Sequence, residues 1–183
     1  MMTGETGRGP VRALSCAFSR ATVHAMKMVD VGAKKKTERV AIASGRVRMS
    51  TAALEAIRSG AVDKGDVLAA ARLAGVMAAK KTPDFVPLCH PISLSGVEVK
   101  VTPVVVGVEI QATVRPVDRT GVEMEALTAV SAAALTIYDM CKSIDRGMVI
   151  EAVCVEHKSG GRSGVYTRAS TGTSKLIKKR SES

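Results

Sequence analysis

The sequence predicts an α+β fold: a ferredoxin-like βαββαβ antiparallel sheet with helices on one face and an extra helix in the first crossover. Three observations carry this expectation. Two valine-rich alternating segments flank Pro103, with Val97, Val99 and Val101 before it and Val108, Ile110, Ala112 and Val114 after it, as in a β-hairpin. One long helical stretch runs from Asp118 to Lys142. The elements follow in the order strand, helices, strand, strand, helix, strand.

Taken along the chain, residues 1–27 contain Gly, Arg and Ser without periodicity. They read as a disordered extension or a misassigned start, the natural one being Met26 or Met28. A transit peptide is the other reading, because the segment is basic and poor in acids. Asp30 to Lys36 is a polar, lysine-rich lead-in. Arg39 to Met49 reads as a strand. Val40 and Ile42 share one phase and Val47 and Met49 the other, so Gly45 between them suggests a bulge. Ser50 or Thr51 can cap a short helix to Ser59, ended by Gly60. Asp66 to Lys81 is a second helix with lysines in its last turn, as the helix dipole prefers. Thr82 to Pro91 holds Pro83, Pro87 and Pro91 and is a rigid irregular connection. In the hairpin that follows, Pro103 is expected to break the first strand.

The long helix can open with a capping box, in which Thr120 takes an amide of the first turn and Glu123 reaches back. Asp139 and Lys142 lie at i and i+3 and share a face. Glu125 lies fourteen residues before Asp139 and points roughly the same way at about 100° per residue. A mostly apolar helix with such a charged edge is either a site or a core helix with a surface ion pair. Met148 to Glu156 is the last strand, Lys158 to Gly164 a flexible basic loop, and Tyr166 onward a poorly ordered Ser/Thr/Lys tail. The expected division is an extension over 1–27, a catalytic domain over 28–166 and a basic tail over 167–183.

Bulk properties narrow the partners. The 183 residues suffice for one domain with tails. A net charge of +10 points to anionic partners. Aromatics make up only 2% and there is no Trp, which argues against base stacking on nucleic acid. No apolar run approaches the ~18 residues of a membrane span. Cys16, Cys89, Cys141 and Cys154 show neither metal-ligand spacing nor a disulfide framework, so reduced thiols in the cytoplasm are expected. The sheet needs its second face solvated or covered, and the apolar sequence favours a second subunit.

Residues able to carry chemistry are scattered. Cys89 and His90 are neighbours in an extended segment, point to opposite sides and do not form a nucleophile–base pair. His90 reads either as a structural histidine or as a binding residue, and the flanking prolines favour binding. Lys64 opens the second helix in what is otherwise a solvated turn. The Lys158–Gly164 loop could cradle phosphates but lacks the Walker A spacing. Arg39 and the Lys34-Lys35-Lys36 run read as a solvated face. Together, separate lysines, an arginine, a histidine and carboxylates, with no metal motif, suggest acid–base work on a phosphorylated compound.

Several stretches stand out: Met28-Val29-Asp30-Val31, Lys64-Gly65-Asp66-Val67, Pro87-Leu88-Cys89-His90-Pro91, Thr120 to Ala129, Leu135 to Lys142 and Lys158-Ser159-Gly160-Gly161. They closely resemble the molybdenum cofactor biosynthesis protein C family, the cyclic pyranopterin monophosphate synthases. The resemblance covers about Met28 to Tyr166. It implies a substrate that is a cyclised 7,8-dihydro derivative of GTP, supplied by an upstream radical enzyme, and release of pyrophosphate. It implies Leu88, Cys89, His90, Met124 and Glu125 as pocket lining, Asp139 as the catalytic acid/base, and Lys64 and Lys142 beside it. Arg39 and Lys158 lie in the same pocket and suit the triphosphate, and Glu123 is a further candidate. Family members form hexamers as trimers of dimers, with sites at subunit interfaces. Proton transfers of this kind need no redox or electron-sink cofactor, and no metal, nucleic acid or membrane partner is implied. The alternative from another class is a small basic RNA-associated ferredoxin-like module.

Overall fold

In the computed structural model, which describes residues 26–169, the chain forms β1 (Thr37–Glu38), β2 (Val40–Arg48), α1 (Thr51–Ser59), α2 (Val67–Ala79) and a 3-10 turn over Thr82–Asp84. It continues through β3 (Leu94–Val104), β4 (Gly107–Asp118), α3 (Glu123–Cys141), β5 (Val149–Ser159) and β6 (Tyr166–Thr167). The expected extension up to residue 25 and the tail from residue 170 lie outside the described residues. The fold is α+β, with an antiparallel sheet and three α-helices, as the periodicities predict. The main strands lie in the order β3-β4-β2-β5, each neighbour antiparallel. β1 pairs with the far end of β4, and β6 pairs with β5.

Local signals set most boundaries. Ser50 caps α1 by accepting from the Ala53 amide at 3.4 Å, and Gly60 closes it with its own N–H on the Ala56 and Ile57 carbonyls. Asp66 caps α2 by accepting from the Ala69 amide at 2.9 Å. Elsewhere the chain departs from expectation. β2 alternates without a break: Ala41, Ala43, Gly45 and Val47 face inward, and Val40 and Ile42 face the other way. The phase switch inferred at Gly45 is therefore absent. The irregularity sits on β5 instead, where Ala152 takes a positive φ of 55° opposite a register shift. Gly45 is small for a different reason: a Cβ there would lie 2.6 Å from Val130 Cγ1 of α3. Pro103 stays within β3, paired with Val108. β3 is an edge strand, so the missing N–H removes no ladder bond on its free side. Lys158 and Ser159 belong to β5, so the expected loop is confined to residues 160–165, and Tyr166–Thr167 pair with β5 as a short strand.

α2 and α3 pack side by side on the sheet and enclose a core of Val99, Val101, Ile110, Ala112, Val114, Ala126, Ala129, Val130 and Ile137. The opposite sheet face is polar, with Ser44 donating to Glu156 at 2.5 Å and Arg46 paired with Glu109 at 2.9 Å. The helices leave apolar side chains exposed at Leu73 and Met77 of α2 and Leu135 of α3. Gly75 sets the helix spacing, because a Cβ there would come within 2.9 Å of the Ala129 carbonyl and 3.1 Å of Val99. Gly75→Val is therefore expected to lower stability by about 1–3 kcal/mol, read as a reduced midpoint in chemical denaturation.

Candidate active site

The expected site residues fall into two groups at opposite ends of α3. At its N-terminal end, Arg39, just before β2, donates to the Asp118 carbonyl at 2.9 Å and the Arg119 carbonyl at 3.0 Å. Gly160 and Gly161, with φ of 92° and 74°, turn the chain back over it. A Cβ on Gly161 would overlap the Arg39 guanidinium, and one on Gly160 would overlap the Glu38 carbonyl. Only glycine tolerates both the backbone angle and the approach. Lys158 pairs with Glu123 at 3.1 Å and donates to Ser163 at 2.8 Å. This pairing draws Glu123 away from the capping box: α3 starts at Glu123 with Val122 as an N-cap that makes no side-chain bond.

A cavity of about 690 Å³ opens beside this cluster. Its lining includes Lys34, Lys35, Arg39, Arg119 and Arg162, with no carboxylate among the lining residues. Such a surface suits a multiply charged anion. Arg119 Nε is buried without a partner.

Glu125 is two residues along α3 from Glu123 and points away from it. It is 1% exposed. Cys89 Sγ donates to its Oε1 at 3.4 Å, while Oε2 is buried without a partner. Burial pushes the Glu125 carboxyl above the usual carboxylate range, with the Cys89 bond opposing part of that shift. Burial and the adjacent Glu125 push the Cys89 thiol up to about 11, so Cys89 is a hydrogen-bond donor rather than a nucleophile. His90 turns elsewhere, its Nε2 lying 2.7 Å from the Val29 carbonyl. Neighbouring Cys89 and His90 thus serve different partners, as the extended segment implied. Leu88 and Met124 are part-exposed nearby, and Met124 borders an apolar groove with Phe85, Leu127 and Leu135.

At the C-terminal end of α3, Asp139 sits between two ammonium groups. Lys64 donates to its Oδ2 at 2.6 Å and to its carbonyl at 3.0 Å, and Lys142 pairs with its Oδ1 at 2.7 Å. Hydrogen bonds from Lys142 and Lys64 bring the Asp139 carboxyl down to about 2. All three side chains are about half exposed in the single chain. Fourteen residues at 1.5 Å each separate Asp139 from Glu125 by roughly 21 Å along the helix axis. One reacting ring cannot touch both within one chain.

The MoaC family model matches residues 28–161. The chain belongs to the MoaC family. It is 59% identical to the cyclic pyranopterin monophosphate synthase of Novosphingobium aromaticivorans over 143 residues, which are 78% of this chain and 91% of that relative. It is 57% identical to the enzyme of the same name from Streptomyces coelicolor, over 79% of this chain and 85% of the relative. The cyclic pyranopterin monophosphate synthase 1 of Mycobacterium tuberculosis is 57% identical over 80% and 87%.

For this MoaC-family chain, sequence reasoning missed most of the cation cavity. In the sequence, Lys34 and Lys35 read as a solvated face, and no motif marks Arg119 or Arg162. The available signal was position: Arg119 immediately precedes Thr120-Gly121, and Arg162 follows Gly160-Gly161. Among the described residues Cys89, Cys141 and Cys154 are free thiols, and no helix is long and apolar enough to cross a membrane.

Proposed function

We infer that this chain is a cyclic pyranopterin monophosphate synthase of molybdenum cofactor biosynthesis. It converts the cyclised 7,8-dihydro-GTP triphosphate made by an upstream radical enzyme to cyclic pyranopterin monophosphate, releasing pyrophosphate as a lyase. The observation that carries this reading is the cation-lined cavity beside Arg39 and Lys158, in a chain whose relatives bear that name. Cations there hold the triphosphate and stabilise the charge that develops as pyrophosphate leaves. Leu88, Cys89, His90, Met124 and Glu125 line the pterin-forming end. Asp139, Lys64 and Lys142 move protons through purine ring opening, pterin closure and cyclic phosphate formation.

Those two ends come together across copies of the chain. A second copy packed antiparallel against the α3 groove, about a two-fold near its middle, brings the lysine–aspartate end of one helix to the Glu125 end of the other. The apolar groove at Phe85, Met124 and Leu135 supports this, since such a surface is stable when covered. Covering also desolvates the Lys64–Asp139–Lys142 group, which brings its proton affinities closer together. A hexamer built as a trimer of dimers follows the family pattern. The strand order β3-β4-β2-β5 supports the ferredoxin-like reading. Free thiols support the cytoplasm as its location. Residues 28–166 form the catalytic unit.

The test is to incubate the purified protein with the cyclised dihydro-GTP substrate and follow pterin product and pyrophosphate together. Both are expected in equal amounts. Absence of both, together with steeply salt-dependent binding to generic RNA, would instead identify an RNA-associated module.

A further inference from the structure

The stretch Met28-Val29-Asp30-Val31 matches the family yet has no part in the chemistry above. In the structure it lies over His90. The Val29 carbonyl is 2.7 Å from His90 Nε2. A carbonyl oxygen only accepts, so the proton of this bond sits on Nε2. In a neutral imidazole the lone pair is then confined to Nδ1. The chain immediately after Val29 is held in a tight reversal. Asp30 Oδ1 accepts from the Gly32 amide at 2.8 Å, and the Lys34 amide donates to the Val31 carbonyl at 3.0 Å. An aspartate bonding an amide two residues on is a local device that fixes a turn without outside help. The turn delivers Lys34 and Lys35 to the wall of the cation cavity. One short segment therefore touches the histidine at one end and the anion site at the other.

We propose that Met28–Gly32 is a positioning strap: its Val29 carbonyl fixes His90 with the proton on Nε2, and the Asp30 turn links that bond to the lysines of the anion cavity. His90 then accepts protons or hydrogen bonds only at Nδ1. Asp30 and Val29 are positioning residues, since neither needs to touch substrate. The strap deepens the proposed synthase reading and rests on it for its purpose, but its geometry can be read without turnover.

The test is 15N NMR on the full chain labelled only in its three histidines, with His90→Gln identifying the His90 resonance. Spectra are taken at about pH 9, where an ordinary imidazole is neutral. The expected wild-type result is an unprotonated Nδ1 and an Nε2–H proton protected from exchange with water. Val29→Ala, which leaves the carbonyl in place, is expected to keep both features. Asp30→Ala is expected to lose the protection and to lower kcat by about 10- to 100-fold. Asp30→Asn, which keeps an acceptor oxygen, is expected to restore both. A proton on Nδ1, no protected ring proton in the wild type, or protection unchanged in Asp30→Ala overturns the proposal. A correct His90 signature in a protein that makes no pterin would overturn the synthase reading and leave the strap standing.

Discussion

Asp139→Asn, Lys64→Ala and Lys142→Ala each lower turnover by at least about 100-fold, the scale expected for acid–base groups, and leave the fold intact. The fold survives because the three side chains are about half exposed, where ion pairs contribute little to stability. Product formation and circular dichroism on the purified variants check both halves. Near-wild-type turnover in all three would place the chemistry elsewhere. The pH dependence has a defined sign. The folded Asp139 carboxyl lies below its ordinary value, down to about 2. Whatever stability it contributes is present above the ordinary carboxylate range and is lost as pH falls toward 2. In the free chain Asp139 therefore stays ionised between about pH 4 and 6.

Glu125→Gln is expected to cost turnover on the same scale, at least about 100-fold, without costing stability at neutral pH. Glu125 is buried with one oxygen unpartnered, and its folded proton affinity is raised. Between its ordinary value and that raised value, the folded state keeps a proton that the unfolded state has lost. Stability therefore declines as pH rises through that window. Glutamine removes the decline and keeps an acceptor for Cys89. Denaturation midpoints from about pH 5 to 8 should be flatter in the variant than in the wild type. An identical pH dependence in the two proteins would show that Glu125 ionises freely.

Much of this architecture is legible locally. The hairpin follows from alternation alone, because β3 and β4 bury one face, and α1 and α2 follow from their caps. β2 misled because the residues that meet α3 are small. Ala41, Ala43 and Gly45 carry little hydrophobic weight, while Val40 and Ile42, on the other face, carry much. β1 and β6 are two residues each, too short to show a period. The α3 cap failed because Lys158, thirty-five residues on, competes for Glu123. Of the site, spacing alone exposes the Asp139–Lys142 pair. Lys64 joins it from 75 residues away, and family motifs, not periodicity, single it out. The cation cavity draws on separate stretches around Lys34, Arg39, Arg119 and Arg162, so no window of sequence contains it. The same holds for the separation of the two groups along α3, which a shared helix face conceals.

That separation leads to the most direct measurement. Lys64→Ala and His90→Ala proteins, each inactive, are dissociated, mixed and reassembled, with subunit exchange verified. If each pocket takes its lysine–aspartate end from one chain and its His90–Glu125 end from another, a mixed interface holds one intact and one doubly defective site. Random mixing then restores roughly a quarter of wild-type turnover, given isologous pairing. Lys64→Ala mixed with Asp139→Asn should restore none, because those residues meet within one chain at 2.6 Å. No recovery from the first pair, or recovery from the second, would contradict a site assembled between the two ends of α3.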